Sequence, residues 1–270
     1  MIRKMKNKIL IGPAGSGGAE LASFEKIKKA GLDAVEIEFT YGIWMTKEQA
    51  IKIAELNKKL ELRLSIHAPY FINLNAVEKQ KIGASRARIL KSCEIGHYLA
   101  GDSKEKINIV FHPGFYLKDT KEKTYETIKS EILKIQEEIK EKDWKVELCP
   151  ETTGKPSQFG DLDEIINLMK ETQCHICVDF SHLKARYNGK IDYELVMDKL
   201  KQLKKQIHAH FSGIEYSEKG ERRHILTPEK EIKELFGYLK KYNLELTIIN
   251  ESPNPFGDAL KMKKILEEIK

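Results

Sequence analysis

Short apolar runs alternate with longer amphipathic stretches along the whole chain. The short runs have the length and the turn boundaries of buried strands, and the longer stretches carry apolar residues at spacings of three and four, with Lys or Glu between them. This alternation predicts repeated β-α units. The predicted strands lie near Ile9–Gly12, Ala34–Glu38, Arg63–His67, Ile107–His112, Lys145–Pro150, His175–Asp179, Gln206–His210 and Leu246–Glu251. The predicted helices lie near Leu21–Ala30, Lys47–Lys58, Glu78–Leu99, Glu122–Glu141, Asp161–Thr172, Tyr193–Lys204, Pro228–Lys241 and Ala259–Ile269.

Equivalent units of this kind favour one closed parallel barrel over an open doubly wound sheet, because none of them marks a point where the strand order reverses. No Pro-rich or Ser-rich linker and no break in composition divides the chain. A length of 270 residues suits a barrel built around one core. We therefore predict an α/β protein whose residues 1–270 form a single (β/α)8 TIM barrel domain.

Composition adds the expectation of a soluble, cytoplasmic protein. No stretch approaches the roughly 18 uninterrupted apolar residues that span a membrane, and the apolar run after the basic segment Met1–Lys8 is too short for a signal peptide. Four cysteines do not make a disulfide framework in a chain of this length. We interpret Cys174 and Cys177 as buried packing and not as half of a zinc site, because residues three apart on a strand point to opposite faces.

The net charge of +6 gives only weak support for a polyanionic partner, because Lys and Glu alternate along the predicted helices and belong on their solvated faces. The glycine-rich loop Gly12–Gly18 has amides that can approach a phosphate backbone. No Gly-Lys-Ser/Thr follows it, as a P-loop would require. Charge and loop therefore permit a nucleic-acid partner without identifying one.

Side chains that can hold a metal ion end six consecutive predicted strands. In barrels of this kind the active site lies at the carboxyl ends of the strands, so these side chains are expected to converge. Imidazole and carboxylate are ligands of Zn²⁺ and Mn²⁺, and so many of them predict a cluster of two or three ions that share a bridging carboxylate. His208 faces the same side as His210 but lies deeper, which favours a supporting role. The candidate ligands are His67, His112, Glu151, Asp179, His210 and Glu251, together with His182 and His224 in the following loops.

The motifs around these residues resemble the endonuclease IV type of apurinic/apyrimidinic nuclease, within the xylose isomerase-like barrels. The Asp-x-x-His motif and the Glu-Ser-Pro ending are the most specific of them. The resemblance spans most of the chain and is carried by Ser65–Tyr70, Ile72–Leu74, Phe111–Gly114, Pro150–Gly154, Val178–His182, His210 and Asn250–Asn254.

The resemblance implies a zinc-dependent hydrolase of DNA repair that cuts the phosphodiester on the 5′ side of an abasic site, acting as a monomer on double-stranded DNA. It implies three zinc ions, with Mn²⁺ as a substitute, and Glu151 as the catalytic bridge between two of them. By the same resemblance the first ion is held by His67, His112 and Glu151, the second by Glu151, Asp179, His210 and Glu251, and the third by His182 and His224.

Two departures from that family's pattern affect the expected contacts. Where the family carries an Arg-rich wedge ending in Trp, this chain has Phe39–Trp44, which keeps Trp44 and loses the basic residues. Trp44 and Tyr70 are predicted to contact DNA, with packing inside the loops as the alternative for each. The family's Asp ligand of the third ion aligns with Arg222, which cannot bind a cation. We predict that Glu221 replaces it, the alternative being a solvated loop acid.

A metal-dependent sugar or sugar-phosphate isomerase or epimerase on the same barrel is the alternative function. Such enzymes use one or two ions and need a base that removes a carbon-bound proton. The additional pair His182 and His224 favours phosphodiester chemistry. A barrel that only binds metal or DNA is disfavoured by the number of ligands at one end.

Overall fold

The computed structural model describes residues 9–15 and 18–269, so the segment Met1–Lys8 and residues Ser16 and Gly17 of the glycine-rich loop lie outside the described part. Within that part no helix is long and apolar enough to cross a membrane. The strands are β1 Ile9–Pro13, β2 Ala34–Glu38, β3 Arg63–His67, β4 Ile107–Phe111, β5 Gly114–Phe115, β6 Val146–Pro150, β7 Gln158–Phe159, β8 Cys177–Asp179, β9 Ile207–Phe211, β10 Gly213–Ser217, β11 Gly220–Ile225 and β12 Leu246–Asn250. The helices are α1 Leu21–Lys29, α2 Lys47–Leu60, α3 Lys79–Ala100, α4 Lys121–Glu141, α5 Leu162–Thr172, α6 Phe180–Arg186, α7 Tyr193–Lys201, α8 Glu229–Tyr242 and α9 Pro255–Glu268.

Eight of these described strands form the wall of a closed parallel barrel. Hydrogen-bonded ladders build two arcs, with the strand orders β1-β12-β9-β8 and β2-β3-β4-β6. Single parallel bridges, Ala14 to Glu36 and Glu151 to Cys177, join the two arcs at both seams. The predicted (β/α)8 barrel is therefore confirmed.

The two faces of the wall strands differ in chemistry, because side chains alternate along a strand. On β2, Val35 points outward into the apolar core shared with the helices, whereas Glu36 points inward and its Oε2 lies 2.8 Å from Nε2 of His208 on β9, across the barrel. The inside thus contains charged groups where such barrels usually hold Val, Ile or Leu. Cys177 also lies inside, and Cys174 is buried; both are free thiols, which agrees with the packing predicted for them.

The elements that the sequence did not predict all follow the carboxyl ends of wall strands. They are helix α6, the hairpin β10–β11 and the short pair β5–β7. Helix α6 begins directly after β8 because the Asp179 side chain accepts a hydrogen bond from the His182 amide at 2.7 Å. Helix α9 begins at Pro255, earlier than the predicted Ala259, because Asn254 caps it and proline suits the first helical position.

Candidate metal centre

The Glu151 carboxylate, which follows β6 directly, is the centre of a histidine cluster at the carboxyl mouth of the barrel, the end where the wall strands finish. Its side chain is fully buried. Oε2 lies 3.2 Å from His67 Nε2 and 3.1 Å from His112 Nε2. Oε1 lies 3.1 Å from His182 Nδ1 and 3.2 Å from His210 Nδ1. One carboxylate therefore contacts imidazoles that follow four different stretches of the wall.

Three of the ligand groups in the described residues adjoin one another, and within each group one nitrogen or oxygen atom per residue lies within 4.8 Å of the others. Two further groups of this kind are Cys177, His208 and His210, and Glu36, Glu38 and Glu251. The first ligand group is His67, His112 and Glu151; the second is Glu151, Asp179, His210 and Glu251; the third is Asp179, His182 and His224. Glu151 is shared by the first and second groups, and Asp179 by the second and third. The residues that the sequence singled out at separate strand ends are thus brought together.

The cluster holds its carboxylates in different electrostatic environments. Burial by itself raises the pKa of Glu151, but the imidazoles of His112 and His210 outweigh it and hold that pKa well below its ordinary value. Burial likewise raises the pKa of Glu251, and His210 brings it down to about 2. Asp179 is different, because burial dominates and raises its pKa, and its Oδ2 has no hydrogen-bond partner among the described residues.

Most histidines of the cluster are oriented by a neutral acceptor on their outer ring nitrogen. His67 Nδ1 lies 2.7 Å from the Ala68 carbonyl oxygen, and His182 Nδ1 lies 2.9 Å from the Thr152 carbonyl oxygen. His224 Nδ1 lies 2.6 Å from the hydroxyl of Ser212, which itself donates to a carbonyl. A neutral imidazole that donates from Nδ1 has its lone pair on Nε2. These contacts therefore direct Nε2 of His67 and His224 into their ligand groups, whereas Nδ1 of His182 also faces Glu151 Oε1 at 3.1 Å.

A β-bulge in the hairpin β10–β11 decides which acid faces the third ligand group. Arg223 pairs with Glu215 and Glu221 pairs with the next residue, Tyr216, so Arg222 is the extra, unpaired residue. The extra residue turns Glu221 to the same side as His224. Its Oε2 lies 3.5 Å from His182 Nε2 and its Oε1 lies 3.9 Å from His224 Nε2. The bulge thus places Glu221 beside the third ligand group, and Arg222 is exposed.

Gly154 gives Glu221 the room to make this approach. A Cβ atom at position 154 would lie 2.7 Å from Glu221 Cβ and 2.8 Å from its Oε2. The Glu221 amide also donates to the Gly154 carbonyl at 3.0 Å, which ties the hairpin to the loop after β6. A side chain at position 154 would therefore collide with Glu221, which explains the glycine at the end of the Pro150–Gly154 motif.

Tyr70 and Trp44 lie at the rim of the mouth, and both are partly exposed, at 49% and 41%. The Tyr70 ring stacks on His112 with 6.4 Å between centroids. Trp44 donates from Nε1 to the Glu38 carbonyl at 2.8 Å and packs edge-on against Phe39. Neither ring is enclosed in the core, so each has a face available to a ligand.

Sequence reasoning missed two inward-facing acids of β2. Glu38 ends its strand as the six candidate ligands end theirs, and the same criterion would have found it. Its Oε1 is buried without a hydrogen-bond partner among the described residues, and burial raises the Glu38 pKa to about 8. Glu36 carried no such signal, because it lies inside an apolar run. It contacts His208, for which we predicted a supporting role, and His208 also adjoins Cys177 and His210 as a possible metal ligand.

Relatives by sequence divide into a full-length match and partial ones. The chain is 38% identical to an uncharacterized protein of Methanocaldococcus jannaschii over 97% of this chain and 98% of that protein. It is 33% identical to a protein named probable endonuclease 4 from Mycoplasmopsis pulmonis, over 50% of this chain and 47% of that protein. The similarity to the named endonuclease therefore spans only about half of each.

Solved structures with low identity share the fold. The crystal structure of SacUVDE superposes with a TM-score of 0.72 at 16% identity, covering 92% of this chain and 86% of that one. A D-tagatose 3-epimerase-like protein superposes with a TM-score of 0.68 at 20% identity, covering 96% of each chain. Residues 24–269 match the xylose isomerase-like TIM barrel family. Because that match covers most of its length, the chain belongs to the xylose isomerase-like TIM barrel family.

Proposed function

We propose that this protein is a divalent-metal-dependent endonuclease that hydrolyses the DNA backbone on the 5′ side of abasic sites. The observation that carries the proposal is the continuous series of three ligand groups joined by Glu151 and Asp179. An array of adjoining cations suits a phosphodiester, whose reaction places negative charge on the attacking, bridging and leaving oxygens at once. The partial similarity to a probable endonuclease 4 supports the same reaction class.

The donor atoms fit zinc, with manganese as the substitute. Each group offers imidazole nitrogen and carboxylate oxygen, the ligand types that both metals accept. The buried Asp179 Oδ2 has no hydrogen-bond partner among the described residues, and leaving such an atom unpaired costs free energy that a cation would offset. Glu151 remains a carboxylate near neutral pH because the imidazoles lower its pKa. The first and second groups would each hold an ion, and Glu221 would complete the third.

The chain's own residues have separable roles in this proposal. Bound ions would supply Lewis acidity and lower the pKa of a water molecule. Glu151, buried and fixed by contacts on both oxygens, holds the first and second groups at a constant separation. Tyr70, stacked on His112 and half exposed, presents an aromatic face to the deoxyribose beside the scissile phosphate. Trp44 offers a second face on the adjacent loop.

The proposal includes one barrel domain acting as a monomer in the cytoplasm on double-stranded DNA with abasic lesions. The loop Phe39–Trp44 lacks basic residues, so phosphate contacts elsewhere must carry more of the affinity. Affinity for DNA should then fall steeply with salt, because each neutralised phosphate releases counterions. A salt-independent affinity would contradict a DNA substrate.

Metal content and strand incision, measured on the same preparation, test the proposal together. After dialysis the folded protein should retain about two or more ions per chain, since preformed ligand sets hold metal tightly. It should cut a duplex with a single abasic analogue at the 5′ side, and a chelator should stop the reaction. An intact duplex of the same sequence is the control. Retention of fewer than about one ion per chain would overturn the metal centre.

A sugar isomerase or epimerase is the second candidate, and the second ligand group favours it. Among the groups in the described residues, only that one joins four residues, of which three are carboxylates, around one position. The fold is also similar to a D-tagatose 3-epimerase-like protein. Such a reaction would not need the third group. Retained turnover of a ketose after His224→Ala, with no incision of abasic DNA by the unaltered protein, would support this candidate.

A further inference from the structure

His210 differs from the other histidines of the cluster in what its outer ring nitrogen faces. Its Nδ1 points into the second ligand group, 3.2 Å from Glu151 Oε1 and 3.3 Å from Glu251 Oε1. Its Nε2 lies 2.8 Å from Oε1 of Glu36, a fully buried carboxylate. The outer nitrogens of His67 and His224 contact a backbone carbonyl and a serine hydroxyl instead. One ring of the cluster is therefore supported by an ionisable acceptor.

Glu36 is itself held from two sides through its other oxygen. Oε2 accepts a hydrogen bond from the Ser65 hydroxyl at 2.7 Å and lies 2.8 Å from His208 Nε2. Glu36 Oε1 and His210 Nε2 have no well-aligned hydrogen-bond partner among the described residues, and they lie 2.8 Å from each other. Two buried polar atoms at that distance lower their desolvation cost most by pairing.

Resting on the metal centre proposed above, we propose that Glu36 is a positioning residue that keeps the proton of His210 on Nε2 and directs the lone pair of Nδ1 into the second ligand group. A carboxylate only accepts hydrogen bonds, so it selects the tautomer with Nε2–H. It also makes the opposite nitrogen a stronger donor to a metal ion. Ser65 and His208 fix the carboxylate from below.

The position of Glu36 excludes a direct role in the second ligand group. Residues 36 and 208 lie one pleat below the strand ends that carry Glu38 and His210. Oε2 is already engaged by two partners, and Oε1 faces the His210 ring. A buried carboxylate without a partner would cost free energy. The position of Glu36 inside the barrel therefore agrees with a pairing between Glu36 and His210.

Zinc affinity of Glu36→Gln, measured by competition with a chromophoric chelator, tests the inference. We expect one ion to be bound about 10- to 100-fold more weakly, the range for losing a partner that orients a metal ligand. Glu131→Gln is the matched control, because Glu131 is also a buried carboxylate but pairs with Lys134 on the outer helix α4. Its zinc affinity should equal that of the unaltered protein. Unchanged affinity in Glu36→Gln would overturn the inference.

Nitrogen-15 NMR of the zinc-loaded, unaltered protein reads the His210 tautomer directly, and it needs no variant to fold. We expect His210 to carry its proton on Nε2, whereas His67 carries its proton on Nδ1. A His210 ring protonated on Nδ1 would overturn the inference even if abasic incision is observed. Zinc retained by the unaltered protein without incision would contradict the DNA substrate and leave the Glu36 test intact. A protein that binds no zinc would overturn both proposals.

Discussion

Charged groups are arranged in opposite ways at the two mouths of the barrel. At the carboxyl mouth, acids and imidazoles are buried and converge on Glu151. At the amino mouth, where the wall strands begin, charges pair near the surface, as in Arg63 with Glu105 at 2.5 Å, and the Glu105 side chain is 66% exposed. Exposed pairs of this kind contribute about 0–1 kcal/mol each.

Two cavities at the amino mouth do not mark the candidate site. Cavities of about 420 Å³ and about 970 Å³ open at the amino mouth, both lined by Arg63, Lys106 and Gln206. Within these linings Arg63 pairs with Glu105 and donates to Gln206, and Lys106 pairs with Glu147. The carboxyl mouth instead contains buried oxygens without hydrogen-bond partners, such as Asp179 Oδ2. Convergence of unpaired ligand atoms is the better indicator of function here.

Replacing one acid at each end of β6 should give the largest contrast. Glu151→Gln should lower incision and release metal, because the amide cannot bridge two cations. The loss of incision should exceed about 100-fold, because removing a residue that only orients a metal ligand already costs about 10- to 100-fold. Glu147→Gln removes a 39%-exposed acid paired with Lys106 and should keep full activity. Incision rates and circular dichroism check both. Equal activity in the two variants would remove Glu151 from the mechanism.

Glu221→Ala should weaken one ion selectively. The bulge places this carboxylate 3.5 Å from His182, so its loss should free one ion at lower chelator concentration, with at least about a 10-fold loss of incision and unchanged folding. Glu215→Ala, on the partner strand of the same hairpin but paired with Arg223, is the matched control. Unchanged metal content in Glu221→Ala would make Glu221 a solvated acid.

The metal-free protein should lose stability as pH rises. Although burial lowers the pKa of His67, the carboxylates Glu151 and Glu38 raise it to about 10. A folded pKa above the unfolded value of about 6.5 stabilises the fold below that pH, and the contribution disappears as pH rises through the folded pKa. At the amino mouth, burial lowers the pKa of His175, so the contribution of His175 to stability increases as pH rises.

Melting temperatures of the chelator-treated protein between about pH 6.5 and about pH 10 check this expectation, the two values being the unfolded and folded pKa of His67. The zinc-loaded protein should vary less, because metal replaces the protons on the ligands. A melting temperature that rises over this range would contradict the expected protonation of the cluster.

Arg63→Ala should have the smallest effect. Its guanidinium pairs with Glu105 and donates to Gln206, both at the amino mouth, so about 0–1 kcal/mol of unfolding free energy should be lost. Incision and metal content should stay within about twofold, since surface changes away from special features rarely alter more. A large loss of incision would show that the two mouths are coupled.

The candidate metal ligands at the strand ends could be predicted from the sequence, because each is recognised from its immediate neighbours in the chain. Six candidate ligands, the first being His67 and the last Glu251, terminate apolar runs, and parallel strands in a barrel bring their carboxyl ends together whatever the details of packing. The Pro150–Gly154 and Val178–His182 motifs carried part of the family resemblance, and that resemblance implied which ligands hold which ion. The barrel itself followed from the alternation of strand and helix periods, which depends only on neighbours in the chain.

Contacts that cross the barrel were decided only by the tertiary structure. Glu36 and His208 are 172 residues apart, and they meet because closure of the wall places β2 opposite β9. The sequence contains both residues, but nothing in their neighbourhoods specifies the distance across the interior. The bulge at Arg222 is similar, since a shift of one residue turns a side chain to the opposite face, and strand pairing selects the register. The sequence thus determined which residues reach the mouth, and packing determined which atoms face one another there.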